Sequence, residues 1–196
     1  MYVMHKNGPA CRIAGASFIM AFAALIFSNA ASFAIYPHFN PESQYFSDFG
    51  AMPNTSLIWN SGMLAFGTLI IVGAIMLSYY SQKNVIAAAA CIAAGVGFSI
   101  VALFPETTSL SMHTFGALLG FAAGGIFTML SRKLAVKMRR TAIFLGTISL
   151  LSTFLLLISG KSLPGIIEIM IVGPFALWLL VAGIQLAHAL PTQKAL

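Results

Sequence analysis

The chain has 196 residues, of which 59% are apolar and 7% charged, against roughly 25% charged in an ordinary soluble domain. With a mean hydropathy of +0.94, a body of 20.8 kDa carries more apolar surface than it can hide from water, which excludes a soluble globular domain and makes the bilayer its solvent. Ten Lys and Arg against four Asp and Glu give a formal charge of +6; in a membrane chain the position of these charges matters more than their sum, so lipids are the expected partners and nucleic acid is not.

Six apolar stretches predict transmembrane helices over about 12–36, 57–80, 85–104, 110–131, 141–159 and 165–188, each close to the ~20 residues that cross ~30 Å of hydrocarbon at 1.5 Å per residue. Barrel strands would alternate polar and apolar residues over about ten positions, and these stretches do not. The expected fold is all-α, a single transmembrane domain over 1–196. Lys6 and Arg12 precede a first run that ends in Ser32-Phe33-Ala34, a small-x-small pattern like a cleavage site. The run is long for a signal peptide, so it is taken as helix 1. Cys11 and Cys91, with no CxxC pair between them, suit small embedded positions.

Between the first two helices lies the longest polar connection, 37–54, rich in aromatics and long enough to fold back over the bundle mouth. Ser47 or Asp48 is placed to cap a short interfacial helix there. Tyr36, Tyr45, Trp59 and the Tyr79-Tyr80 pair sit where aromatic belts belong, whereas Trp178 falls mid-helix and suits the core or a cavity wall. Gly116, Gly120 and Gly124 in helix 4, with Cys91 and Gly95, and Ala90 and Ala94, in helix 3, recur every four residues and predict close helix contact.

Orientation follows from counting Lys and Arg by connection. Lys6, Arg12, Lys83, Arg132, Lys133, Lys137, Arg139, Arg140 and Lys194 fall on one side, nine in all, and only Lys161 on the other; both termini are therefore expected in the cytoplasm and the protein in the cytoplasmic membrane. The basic run 131–140 fixes topology and meets anionic headgroups. All four carboxylates, Glu42, Asp48, Glu106 and Glu168, then fall at or near the outer face together with His38 and His113.

Each even helix starts near a polar residue and ends about 20 residues later: Asn60 to Tyr80, His113 to Arg132, Glu168 to His188. One hydrocarbon thickness separates each pair, which suggests three helical hairpins on one plan with Asn60, His113 and Glu168 at matched depth. Glu168 sits in an otherwise apolar stretch and would cost several kcal/mol against lipid, so it must face the interior. His113 is its expected partner, as a structural clamp, a proton-donor pair or two metal ligands. Glu42 and Glu106 sit in plain loop context. Asn29 and Asn60 either bond across helices or join Asp48, His113 and Glu168 around an outward-open polar pocket.

Phe46-Ser47-Asp48-Phe49-Gly50, Leu103-Phe104-Pro105 followed by His113, and Gly165-Ile166-Ile167-Glu168 with Trp178 resemble an uncharacterised prokaryotic six-helix membrane-protein family, domain of unknown function 998. The resemblance covers nearly the whole chain. It implies polar residues recurring on one side of six helices and names no activity, substrate or cofactor. A looser similarity links the chain to the seven-helix hydrolases of the alkaline ceramidase type, which hold zinc with three histidines and keep a Ser and an Asp nearby. This chain departs from them in helix count and in having two outer histidines, with His188 at the opposite face.

The leading expectation is a membrane protein whose outward-facing pocket, formed by Ser47, Asp48, Asn60, His113, Glu168 and Trp178, binds a lipid, a small hydrophobic ligand or a partner subunit. The alternative is a membrane-embedded lipid hydrolase at the outer leaflet with Asp48, His113 and Glu168 as metal ligands or acid/base groups. Secondary transport fits less well, since transport sites lie near the midplane.

Overall fold

The computed structural model describes residues 8–80, 85–133, 138–159 and 162–188. Lys6, Lys83, Lys137, Lys161 and Lys194, and the side chains of Tyr80 and Lys133, lie outside the described residues. Six helices follow in chain order: α1 Gly8–Ile35, α2 Ser56–Tyr80, α3 Val85–Leu103, α4 Glu106–Leu130, α5 Arg139–Ile158 and α6 Pro164–Ala187. All six are long and apolar enough to cross a membrane. The main differences from the sequence boundaries lie at two starts. Pro9, which needs no helical N–H partner in a first turn, lets α1 begin before Arg12. Pro105 opens a separate turn at the head of α4, and Ser109 (φ −160°, ψ 99°) divides that turn from the main helix.

Each helix packs on its neighbours in the chain, and α6 closes the ring against α1. Small residues make these approaches. A Cβ on Gly97 would fall on the backbone of Gly116 and Gly120, one on Gly67 on the carbonyl of Gly95, and one on Gly15 on the backbone of Gly183 and Ala187. Without a hydrophobic force between helices in lipid, such close contact is what holds them together. Gly97→Val is expected to force α3 off α4 and destabilise the protein by about 2 kcal/mol, measured as an earlier thermal unfolding transition in detergent; an unchanged transition would refute the backbone contact.

The bundle interior is filled by aromatic rings. Phe98 and Phe175 stack nearly parallel at 5.9 Å, Phe66 tilts against Phe98 at 4.9 Å, and Phe127 meets Phe175 edge-on at 6.2 Å. Cys91 is buried, and Cys11 donates to the Leu186 carbonyl at 3.2 Å, which ties α1 to α6.

The connection between α1 and α2 folds onto the bundle end as its length and aromatics predict. Phe33 at the end of α1 and Phe39, Phe46 and Phe49 beyond it form one cluster, the closest pair stacked at 4.6 Å. The Pro41 carbonyl accepts the N–H groups of Gly165 and Ile166 at 3.0 and 3.3 Å, capping α6 from outside its own chain segment. A Cβ on Gly165 would meet the Gln44 carbonyl and Pro41, so a side chain there would lift the connection away. At its other end Thr55 Oγ1 donates to the Phe49 carbonyl at 2.7 Å and Asn60 Nδ2 to the Gly50 carbonyl at 3.0 Å.

Candidate functional site

Leu163 takes a left-handed conformation (φ 54°) and Pro164 starts α6, which sets Glu168 one turn inside the helix, facing inward and buried. Its carboxyl receives two hydrogen bonds from the α1–α2 connection: the Phe46 N–H donates to Oε2, and Ser47 Oγ donates to Oε1 at 3.2 Å. Phe46 opens a short 3-10 helix, Phe46–Gly50, whose first N–H groups have no partner of their own. Glu168 supplies one from the far side of the chain. Asp48 Oδ2 accepts the Tyr45 N–H at 2.9 Å within the same turn. Asp48 thus does the capping expected of Ser47 or Asp48, while Ser47 is engaged by Glu168.

His113 is buried at 4% exposure, and its partner is Glu106. Nε2 lies 3.6 Å from Glu106 Oε1, and Nδ1 lies 3.1 Å from the Phe104 carbonyl. A carbonyl only accepts, so Nδ1 carries the proton. Residues seven apart on a regular helix are separated by roughly 10 Å along its axis; the extended Ser109 folds the Glu106 turn back to within reach of the imidazole. The expected pairing of His113 with Glu168 is therefore corrected: each has other partners, and no hydrogen bond or ion pair joins them. Glu106 also becomes part of the site, where its sequence context suggests a plain loop residue. The run Thr107-Thr108-Ser109 of poor helix formers after Pro105 is the one hint of this in the sequence.

Both side chains face one cavity of about 820 Å³. Its polar wall includes Tyr45, Ser47, Asp48, Glu106, His113 and Glu168. Its apolar wall runs down to Met63, Val101, Phe121 and Val172, with Phe98 of the aromatic stack as floor. Leu110 of α4, Leu157 of α5 and Ile169 of α6 line it yet are half or more exposed, so the cavity reaches the surface of the bundle beside these three helices. Burial and the nearby carboxyls of Glu168, Glu106 and Asp48 push the Tyr45 phenol above its ordinary range, and it stays a hydroxyl at neutral pH.

Three other expectations change. Trp59 is not in an exposed belt: it is 3% exposed, lines the cavity and donates Nε1 to Asn29 Oδ1 at 3.3 Å. Trp178 is fully buried outside the cavity wall, its Nε1 donating to Ser131 Oγ. Asn60 Nδ2 is used on the Gly50 carbonyl, its buried Oδ1 has no hydrogen-bond partner, and the residue does not line the cavity either. Since Ser131 Oγ itself donates to the Thr128 carbonyl at 3.1 Å, Trp178→Phe leaves no group stranded. It is expected to cost about 1 kcal/mol and leave ligand binding intact, read from thermal unfolding and bound-ligand content; lost binding would return Trp178 to the site.

Among the described residues no three His, Cys, Asp or Glu side chains are grouped as a metal would need; Asp48, His113 and Glu168 share a cavity without converging. Ser47 Oγ is bonded to Glu168, not to an imidazole, so Ser47 and His113 do not form a nucleophile pair.

The family model described as Protein of unknown function (DUF998) matches residues 12–185. No curated protein and no solved structure matches the chain.

Proposed function

The chain belongs to the DUF998 family and is an integral membrane protein of six apolar helices, and from that premise we propose that it binds a lipid or small hydrophobic ligand with a polar head in the cavity beneath the α1–α2 connection. The observation that carries this reading is the division of the cavity wall. Carboxyl, imidazole and hydroxyl groups gather at one end, and aliphatic and aromatic side chains fill the other. At about 820 Å³ the volume suits a ligand of a few hundred daltons or a headgroup with part of its chain. Protein purified in mild detergent, washed and extracted should yield close to one amphiphile per chain by mass spectrometry. Extracts holding only the bulk lipid mixture, in no fixed ratio, would overturn the assignment.

The same reading puts the cavity on the outer side of the cytoplasmic membrane. Arg12, Arg132, Arg139 and Arg140 lie at the bundle end opposite the carboxyls, continuing the nine-to-one bias of the whole sequence. Reporters active on only one side of the membrane, fused to each terminus, are expected to signal cytoplasm at both. An outside signal at either end would reverse the orientation.

A further inference from the structure

We propose that α6 is hinged at Gly173-Pro174 and that its first half, residues 164–172, swings together with residues 41–47 to open and close the cavity. What passes is the amphiphile of the reading above, and only that part of the proposal rests on it. The backbone supplies the first ground. Pro174 stands inside α6, where it has no N–H to give the Met170 carbonyl and its ring crowds that carbonyl. Gly173 comes just before it, and a Cβ there would meet nothing nearer than Ile169 Cγ2 at 3.8 Å. A missing helix bond beside a missing side chain concentrates bending at one point.

The second ground is that the two halves of α6 are tied to different bodies. Past the hinge, Phe175 stacks with Phe98, Trp178 donates to Ser131 Oγ, and Gly183 packs on the Gly15 backbone, all inside the helical bundle. Before it, the Gly165 and Ile166 N–H groups donate to the Pro41 carbonyl, and the Glu168 carboxyl accepts from Phe46 and Ser47. Residues 164–172 and 41–47 therefore form one piece. The far end of the connection stays on α2 through Thr55 and Asn60, which makes Phe49-Gly50 the second pivot. Buried Ile167 and Ile171 meet the bundle through apolar contact, which is non-directional and slides without stranding a polar group. A pin from α5 holds the closed position: Ser149 Oγ donates to the Ile171 carbonyl at 2.8 Å, the kind of bond by which a neighbouring helix steadies a ladder that proline has broken. Ile169, Val172 and Gly173 line the cavity with Leu110 and Leu157, so a swing of this half resizes the mouth.

Thiol labelling tests the hinge without reference to any ligand. Val101 lines the cavity and is 4% exposed, so Val101→Cys reacts with N-ethylmaleimide only when the mouth opens. Cys91, fully buried towards the other end of α3, reports global unfolding in the same sample, and peptide mass spectrometry separates the two. With the protein in nanodiscs, Pro174→Ala, which restores the N–H for Met170, is expected to slow labelling of Val101→Cys about tenfold. Ser149→Ala, which removes the pin, is expected to speed it, and Cys91 should react at the same rate in all three backgrounds. Unchanged or faster labelling in Pro174→Ala would overturn the hinge, as would rates at Val101→Cys and Cys91 that rise and fall together. If Pro174→Ala does not fold, Gly173→Ala stiffens the same point in open space and is expected to slow labelling likewise. Overturning the hinge leaves the amphiphile reading standing, and extracts with no fixed amphiphile ratio would overturn that reading and leave the hinge.

Discussion

Glu168→Ala is expected to lower the stability of the protein by about 3 kcal/mol, because it strands the Phe46 N–H and the buried Ser47 hydroxyl without their acceptor. Glu168→Gln should cost no more than about 1 kcal/mol. The amide oxygen can accept the Phe46 N–H, and the amide nitrogen can donate to Ser47 Oγ once that hydroxyl rotates, since a hydroxyl serves in either role. Thermal unfolding in detergent gives the two costs. Protease sensitivity of the 36–55 connection gives their location, because the lost latch should expose it to cleavage in the Ala variant and not in the Gln variant. Equal losses for Ala and Gln would mean that the negative charge, and not the hydrogen-bond geometry, holds the connection down.

The second large effect concerns the cavity itself. Ala117 of α4 and Val172 of α6 both line it, and a phenyl ring at either position would occupy the volume in which the alkyl chain is proposed to lie. Ala117→Phe and Val172→Phe are each expected to reduce bound amphiphile more than about tenfold while leaving the unfolding temperature the same or higher, since filling a void restores dispersion contacts. Mass spectrometry of washed, extracted protein reads the first quantity and thermal unfolding the second. Two well-folded variants that keep their amphiphile would move the binding site away from this cavity.

The inward placement of Glu168 is legible in the sequence, because hydrocarbon has no means to solvate a carboxyl and the cost falls on that residue wherever its partners are. The helix contacts of Gly116 and Gly120 are legible for a similar reason: small residues at four-residue spacing form one smooth stripe whatever packs on it. Gly97, which meets them, belongs to no such stripe read from the sequence. Partners are not legible. Ser47 and Glu168 are 121 positions apart, and matched depth along the bilayer normal makes His113 look like the nearer choice. Depth leaves rotation about the helix axis free, and it is the path of the α1–α2 connection over the bundle that brings Phe46 and Ser47 to the carboxyl first.

Sequence by itself determined the six spans, since hydropathy over about 20 residues is a local property and the bilayer's thickness converts it directly into helix length. It also determined that the carboxyls gather at one end and most of the basic residues at the other. Tertiary structure alone decided which polar groups meet. These helices are apolar on nearly every side, so no amphipathic face announces which side points inward; Trp59, whose depth suggested a belt, lines the cavity, and Trp178 lies in the core away from it. Within α4 a single extended residue, Ser109, turned Glu106 back onto His113. That break in the backbone, invisible to any periodic pattern, places a carboxyl and an imidazole side by side at the cavity rim.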